Sequence, residues 1–284
     1  MAKALKKRAI KIIAICLIVA VALVIALEAG ILVRAAIKPY LPDYDKIDIR
    51  GILSKETLSD EDYETLFLQT GLTRIGIDGL RDRGLISRIL EIQDQYFEEQ
   101  YIYLNEFAPF TGYLKRTIKS GVAEYAFLEN GDILFSPTTF LSFISLGHAS
   151  MVVDANLGVM AQASGYGTPV DFVRISHFFS RPEFVILRPK ADVGEAVASY
   201  TSENLIGLRY SILAGIFTDK APDNLRSTHC SHFIWYAYMQ AGIDLDSNGG
   251  KIVTPQNLLY SENLSIVQIY GIDPDKIYSK RSAD

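Results

Sequence analysis

The chain has 284 residues, which is enough for one sizeable globular domain with extensions. Apolar residues make up 49% of it and charged residues 21%, so the sequence can bury a hydrophobic core. The formal net charge of -5 gives no electrostatic argument for nucleic-acid binding, and basic residues are concentrated only at the extreme N-terminus.

The first element in chain order is an apolar segment behind a basic N-terminus. Residues 12–27 form an uninterrupted apolar run that resumes at residues 29–33, and five basic residues precede it: Lys3, Lys6, Lys7, Arg8 and Lys11. At about 1.5 Å per residue, a helix of this length spans the roughly 30 Å hydrocarbon layer. Only Arg34 and Lys38 follow closely, so the positive-inside rule predicts a cytoplasmic N-terminus.

Residues 1–38 are therefore predicted to be a cytoplasmic tail and a single transmembrane anchor, with residues 39–284 outside the cell membrane. The alternative is a cleaved signal peptide. The apolar run is longer than the usual signal core of about 7–15 residues, and no A-x-A cleavage site follows it.

The chain has two cysteines, Cys16 and Cys230. Cys16 lies within the apolar segment, where it is interpreted as an apolar filler. Cys230 is then the only thiol of the exported part, so that part cannot form an internal disulfide. Either Cys230 is buried and inert, or its reactivity matters.

The region from residue 39 to residue 121 is predicted to be a linker followed by helices. Residues 39–57 contain two prolines and mixed charges and predict a tether. Ser59 is a candidate N-cap, and a second helical pattern runs over residues 85–96 and continues towards residue 103. We interpret residues 58–121 as a helical extension that covers or gates the following domain.

Residues 122–284 are predicted to be one α+β domain. Short runs rich in β-forming residues occur at residues 122–127, 132–135, 148–153, 159–163 and 184–187, separated by glycine- and asparagine-containing turns. Helices are predicted at residues 192–205 and 227–241, a short helix begins at Thr254-Pro255, and residues 266–270 predict a last strand. Strands that come before the longest helix favour the α+β class.

Cys230 is a candidate nucleophile because of its position in the predicted helix. Ser227 or Thr228 can cap this helix, which places Cys230 in the first turn, where free N–H groups favour a thiolate and can hold an oxyanion. The same residue lies on the helix face of Ile234 and Ala237, so the alternative is an ordinary core cysteine.

A histidine and a glutamine form the second half of the candidate site. His148 opens a strand after Gly147, and Gln162 lies on the return strand. A turn centred near residue 155 sets the two side chains opposite each other, and a centre at residue 156 makes them diagonal neighbours on one face. A β-bulge between them would turn Gln162 to the other face. A polar neighbour orients an imidazole, although each residue alone also fits an ordinary strand position.

The order of these motifs along the chain resembles that of known cysteine enzymes. NlpC-type cell-wall peptidases share the motifs Gly131-Asp132-Ile133-Leu134-Phe135 and Gly147-His148-Ala149, followed by a polar residue on a strand. In those enzymes the cysteine helix comes first, whereas here Cys230 comes after the strands. This order is similar to that of the circularly permuted papain-like amidases of the YiiX/YaeF/YycO-like group.

The resemblance implies a permuted papain-like fold, with a central antiparallel sheet or partial barrel and a helix that carries Cys230. It implies that Cys230 is the nucleophile, His148 the base and Gln162 the orienting residue, where relatives often have glutamate. Tyr210 falls where relatives place a tyrosine near the active site, and Ser231 is a candidate for oxyanion or substrate binding. The implied activity is hydrolysis of an amide bond, with cell-wall peptide as the nearest abundant substrate.

Other interpretations stay open at this level. His229 and His232 could face each other and, with Cys230, suggest a metal, but no further cysteine or carboxylate completes a zinc set, so we predict neither a metal nor a cofactor. One rival function is a thioesterase or acyltransferase that acts on lipid, for which the apolar residues between 140 and 146 could bind acyl chains. The other is a non-catalytic wall-binding module with an inert Cys230.

Overall fold

The computed structural model describes residues 2–117, 124–165, 167–216 and 218–281. Its helices are α1 (Ala2–Ala35), α2 (Arg50–Leu53), α3 (Asp60–Thr70), α4 (Arg74–Arg81), α5 (Ile86–Tyr96), α6 (Ile175–Phe178), α7 (Gly194–Asn204), α8 (Cys230–Gln240), α9 (Pro255–Leu259) and α10 (Pro274–Arg281). Its strands are β1 (Tyr101–Ala108), β2 (Thr111–Thr117), β3 (Ile133–Ser136), β4 (Thr139–Leu141), β5 (Ile144–Ser145), β6 (His148–Asp154), β7 (Val159–Ala163), β8 (Val170–Arg174), β9 (Phe184–Pro189), β10 (Arg209–Tyr210), β11 (Ser227–Thr228) and β12 (Leu264–Tyr270).

A six-stranded antiparallel sheet forms the centre of the protein. The strand order is β12-β9-β3-β6-β7-β8. Alternate side chains of its strands enter two different cores. Ile133, Ala149 and Met151 pack with α7, α8 and α9 on one face, whereas Leu134 and Val152 pack with the α3–α5 helices on the other. The architecture is therefore α+β with helices on both faces of an antiparallel sheet, which confirms the predicted class.

The helices before the sheet form a layer of the same domain. Ser59 caps α3 and shares a capping box with Asp62, as its position predicts. The segment predicted to be a tether also contacts this layer. Ile49 and Leu53 are buried in its core, and the side chains of Gln69 and Gln93 hydrogen-bond to the backbone of Ile47. The predicted linker over residues 39–57 thus contacts the domain at Ile49 and Leu53, while most of its other residues are exposed.

The helical pattern ends earlier than the sequence suggested. Helix α5 stops at Tyr96, and the acidic, aromatic stretch after it becomes β1, which pairs with β2. The predicted helical extension over residues 58–121 thus contains a β-hairpin, because the side chains after residue 100 are tyrosine and other strand-forming types. The strand predicted at residues 122–127 is irregular at residues 124–127, and residues 122 and 123 lie outside the described part of the chain.

A small second sheet connects the domain to the N-terminal helix. Its strand order is β1-β2-β4-β5. The tip of its β4–β5 hairpin lies on the C-terminal part of α1, where the hydroxyl of Ser142 donates to the carbonyl of Leu27 at 2.8 Å and Arg34 Nε donates to the carbonyl of Phe143 at 2.8 Å. Gly30 permits this approach, since a Cβ there would lie 2.3 Å from the Ser142 hydroxyl oxygen.

Helix α1 is long and apolar enough to cross a membrane. The span Lys6–Ala35 meets this criterion by length and composition, and it lies near the N-terminus. Most of its apolar side chains are exposed, Leu32 and Val33 included, whereas Ile31 is buried against Leu114 and Phe140 of the second sheet. The predicted N-terminal apolar helix is therefore confirmed, and its last turns form a contact surface for the folded domain.

Candidate functional site

His148 is the first residue of β6, at one end of the central sheet. Ser136, the last residue of β3, pairs with it. Gly147 precedes it with a φ of 67°, a left-handed conformation that favours glycine and turns the chain into the strand. The imidazole is 5% exposed and stacks near Phe178, with 6.4 Å between the ring centroids.

The predicted contact between His148 and Gln162 is present. His148 Nε2 lies 3.2 Å from Gln162 Oε1. The register pairs Met151 with Ala161, so Gln162 is a diagonal neighbour of His148 on the same face, as a turn centred at residue 156 predicts. The hydroxyl oxygen of Ser150 lies 3.3 Å from the same nitrogen.

A β-bulge decides this register. Next to the turn Asp154 pairs with Val159, but Val152 already pairs with Met160, so β6 has one extra residue at Val153. Without this residue the register at the turn would place Gln162 opposite Met151, on the face away from His148. The bulge that we expected to separate the two side chains is therefore what brings them together.

The Gln162 contact determines which His148 nitrogen is basic. An amide oxygen accepts a hydrogen bond, so it holds the imidazole proton on Nε2 and leaves Nδ1 unprotonated. Burial lowers the pKa of His148 to about 3, and the nearby charge of Arg181 acts in the same direction, while Gln162 acts against them. The ring is therefore neutral at physiological pH.

Cys230 is the first residue of α8. The N-cap is His229, without a side-chain cap, so the prediction that Ser227 or Thr228 caps this helix was wrong. Both residues instead form β11, which pairs with β10, and the Thr228 hydroxyl lies 2.9 Å from His232 Nδ1. Ser227 and Thr228 therefore pair with β10 instead of capping α8.

The Cys230 thiol lies beside the first residues of β6. It is partly exposed, and the backbone amide of Ala149 is close enough to lower its pKa, as are the amide and hydroxyl of Ser231. Burial has the larger effect and raises the pKa of Cys230 above its ordinary value. The helix N-terminus therefore does not by itself make a thiolate here, and both the thiol and His148 are neutral in the resting protein.

The two residues proposed for oxyanion or substrate binding have different surroundings. Tyr210 lies near the thiol: burial and the negative form of Cys230 raise the pKa of Tyr210 to about 12. Among the described residues, none hydrogen-bonds to its hydroxyl. Ser231 is fully buried, and its hydroxyl donates to the carbonyl of Val253 at 2.7 Å. Its side chain thus supports the backbone, and both its hydroxyl and its amide lie near the thiol.

The remaining histidines of this segment are held by the fold. His232 Nε2 donates to the carbonyl of Lys220 at 2.8 Å, while its Nδ1 contacts Thr228, so both ring nitrogens are occupied. The rings of His229 and His232 are 5.4 Å apart. Across the described ranges, no group of three or more histidine, cysteine or acidic residues could hold a metal ion.

A cavity of about 270 Å³ opens beside His148 and Gln162. We call it the His148 cavity, and its other lining residues include Tyr113, Thr139, Thr168, His177 and Arg181. Arg181 was missed by sequence analysis, because an arginine between Ser180 and Pro182 carries no local signal of burial. Only the packing of β2, β4 and α6 around it reveals its place.

Comparisons of this chain with protein-family models, with curated proteins and with solved structures gave no match. By its own architecture, the described chain is an α+β protein with antiparallel sheets and an N-terminal apolar helix.

Proposed function

We propose that this protein is a membrane-anchored cysteine hydrolase that cleaves amide bonds outside the cytoplasm. Cys230 is the nucleophile, His148 the general base and acid, and Gln162 the residue that orients the imidazole. The observation that carries the proposal is the hydrogen bond from His148 Nε2 to Gln162, at the point where the Cys230 thiol meets the amide of Ala149. A nucleophile, a base and an orienting group are the parts that covalent acyl transfer needs.

The pKa directions define how these residues would act. His148 is neutral because burial lowers its pKa to about 3, and Cys230 is a thiol because burial raises its pKa. The proton therefore passes from sulfur to Nδ1 as the sulfur attacks the carbonyl, rather than before substrate binds. The imidazolium then protonates the leaving amine, and water activated by His148 hydrolyses the thioester.

The first amides of α8 and the Tyr210 hydroxyl are the groups that can stabilise the oxyanion. The N-terminal N–H groups of a helix are free to donate, and Tyr210 lies near the thiol. Both donors would act only when negative charge develops on the substrate oxygen, which is the requirement for lowering the barrier.

The order of the motifs supports the same chemistry. A histidine at the start of a strand, a polar residue on the next strand and a later cysteine helix resemble the permuted papain-like amidases of the YiiX/YaeF/YycO-like group. Packing of α8 against a central antiparallel sheet is compatible with that relationship. We accordingly propose a permuted papain-like fold for the domain.

The basic residues in the first turns of α1 support an orientation with the N-terminus in the cytoplasm and the His148 cavity outside. Cell-wall peptide is the abundant amide substrate on that side of a cell membrane. It is our first candidate for the substrate.

A second candidate is a thioesterase or acyltransferase that acts on membrane lipid. The specific observation in its favour is the β4–β5 hairpin, which supplies Thr139 to the His148 cavity and contacts α1 at Leu27 through Ser142. Phe143 at the tip is 61% exposed beside this part of the helix. The cavity would thus lie close to the level of the lipid headgroups.

The test compares the two cysteines of the full-length chain in lipid nanodiscs. Cys230→Ser and His148→Ala are each expected to lower kcat/KM by about 10³-fold or more, as is typical when one member of such a pair is removed. Cys16→Ser is the matched control and should keep wild-type activity, since Cys16 lies in α1. Each variant is assayed with a cell-wall stem peptide and with a phospholipid ester.

Hydrolysis of the peptide alone supports the first candidate, and hydrolysis of the ester alone supports the second. A folded Cys230→Ser variant that retains most activity would rule out covalent catalysis at this residue. If native Cys230 also resists alkylation by a neutral reagent, the protein is the non-catalytic module with an inert thiol.

A further inference from the structure

Arg181 is a buried cation that has no acidic partner in the described part of the chain. It is 7% exposed, and its Nη1 donates to the Thr139 hydroxyl at 2.9 Å. Its guanidinium lies over the ring of Tyr113, 4.5 Å from the centroid. Within the described ranges, no carboxylate oxygen comes within 4.0 Å of it. A buried charge normally requires a paired opposite charge, because hydroxyl groups and an aromatic face replace only part of its hydration.

Arg181 stays charged despite this environment. Burial lowers its pKa to about 10, and the negative forms of Tyr113 and Cys230 act in the opposite direction. A pKa near 10 keeps the guanidinium protonated at neutral pH. Arg181 therefore carries its positive charge into the His148 cavity at neutral pH.

The His148 cavity gives this cation access to a ligand. Arg181 lines it together with His148 and Gln162, and Thr168 and His177 contribute further polar groups. None of its described lining residues is acidic. An anion that enters would meet a buried cation in a partly enclosed space, where charge-assisted hydrogen bonds are stronger than at a surface.

The geometry points to an oxyanion subsite: Arg181 binds a carboxylate or phosphate group of the substrate in the His148 cavity and thereby presents the neighbouring acyl group to Cys230. This inference rests on the proposed function for its catalytic consequence. The guanidinium fork matches both oxyanions, so the shared chemistry is a planar or tetrahedral anion with at least two acceptor oxygens. A wall peptide would supply the carboxylate, and a lipid headgroup would supply the phosphate.

Two alkylating reagents of similar size test the subsite directly. Iodoacetate carries a carboxylate and iodoacetamide is its neutral counterpart, so the ratio of their rates at Cys230 measures attraction of an anion independently of thiol reactivity. The measurement uses the full-length chain in phosphatidylcholine nanodiscs with Cys16→Ala, which leaves Cys230 as the only thiol. Labelling is followed by intact mass at several pH values.

Arg181→Gln is expected to lower the iodoacetate-to-iodoacetamide rate ratio by about tenfold or more, the loss expected for a hydrogen bond to a charged group. Arg181→Lys should give an intermediate ratio, because it keeps the charge and loses the fork. Arg174→Gln is the matched control, since Arg174 is an exposed arginine of β8. Its ratio should change by less than about twofold, as solvent and salt screen its charge.

The outcomes separate this inference from the proposed function. If iodoacetamide does not label native Cys230, the proposed function fails. If it labels Cys230 but Arg181→Gln slows both reagents equally and leaves the ratio unchanged, Arg181 acts only on the thiol and the subsite is overturned. An equal fall in the ratio for Arg174→Gln also overturns it, because the effect would then be general surface charge.

A second measurement identifies the anion and guards against a misfolded variant. Inorganic phosphate and acetate should each slow iodoacetate labelling of wild type and raise its Tm, with no effect on Arg181→Gln. Nanodiscs that contain phosphatidylglycerol should protect Cys230 without added salt if the source is a lipid phosphate. Protection by the soluble anions alone supports a soluble peptide carboxylate or phosphate, and failure of all three overturns the subsite.

Discussion

The two ends of the central sheet differ in whether their arginine is paired with a carboxylate of the described residues. At one end Arg188 donates to both carboxylate oxygens of Asp132, at 2.8 and 2.7 Å, and the Tyr238 hydroxyl donates to the carbonyl of Gly131 at 2.6 Å. At the other end the partners of Arg181 among the described residues are hydroxyl groups and aromatic rings, beside His148 and the His148 cavity. Arg181 comes three residues before β9, and Arg188 lies near the end of that strand.

The difference separates a charge that holds the fold from a charge that is open to a ligand. Arg188 pairs with the buried Asp132 and also with Glu129, so removing Arg188 leaves the carboxylate of Asp132 buried without its partner. Arg181 has no such partner among the described residues. Its burial therefore lowers the free energy of unfolding, and a bound anion would offset that loss. Helix α8 connects the two ends, with Cys230 at its start and Tyr238 near its end.

The largest expected effect is on stability and concerns the two arginines. Arg188→Met should lower the free energy of unfolding by about 3–5 kcal/mol, because it leaves the fully buried Asp132 without its partner. Arg181→Met should change it by less than about 1 kcal/mol or raise it. Denaturant unfolding of the full chain in nanodiscs, followed by fluorescence of Trp235, measures both. Equal losses would remove the distinction between the two ends.

The buried histidines near the His148 cavity and α8 should make stability depend on pH. Burial lowers the pKa of His148 and of His229 to about 3, while an unfolded histidine titrates near 6.5. Between these values the unfolded state binds more protons, so stability falls as pH falls from about 6.5 towards 3. Each histidine contributes about 1.4 kcal/mol per pH unit in this window.

Unfolding measured at pH 7 and pH 5.5 tests this expectation. His148→Gln should reduce the slope of the free energy of unfolding against pH by the contribution of one histidine. His177→Gln is the control, and it should change the slope less because His177 is exposed. A slope that His148→Gln leaves unchanged would contradict a buried neutral imidazole.

Gln162 should affect activity by an intermediate amount. Gln162→Ala is expected to lower kcat/KM by about 10–100-fold, the usual contribution of a residue that orients a reactive group. Gln162→Glu places a carboxylate against Nε2, which should raise the pKa of His148 and move the acid limb of the pH–rate profile to higher pH. Ser150→Ala, which removes the other neighbour of Nε2, should cost less. Profiles of identical shape and height in wild type and both Gln162 variants would make Gln162 an ordinary strand residue.

The smallest expected effect concerns the hairpin tip on α1. Phe143→Ser and Ile144→Ser should leave the free energy of unfolding unchanged and raise KM a few-fold for a substrate held in a nanodisc, with no effect on a soluble substrate. The reason is that both side chains are exposed beside α1, which is long and apolar enough to cross a membrane. Leu157→Ser is the control, an equally exposed apolar residue on the β6–β7 turn. An equal rise in KM for Leu157→Ser would argue against a membrane contact.

Local sequence patterns predicted the elements whose signals are contained in a few residues. The apolar run predicted α1, the capping boxes at Ser59 and Thr254 predicted the starts of α3 and α9, and β7 has the predicted bounds. The positions of Cys230 at a helix start and His148 at a strand start were also correct. These features depend on backbone hydrogen bonding and side-chain periodicity within one segment, which the sequence encodes directly.

Tertiary structure decided the features that depend on distant partners. The bulge at Val153 sets the face of Gln162, and strand pairing takes Ser227 and Thr228 away from the α8 cap. Packing buries Arg181 with no carboxylate beside it among the described residues. Burial also reversed the expected pKa direction of Cys230, because desolvation of the thiol outweighs the nearby amides. The sequence therefore determined which residues are available for chemistry, and the tertiary contacts determined their partners and their charge, because register and desolvation arise only when separate segments pack together.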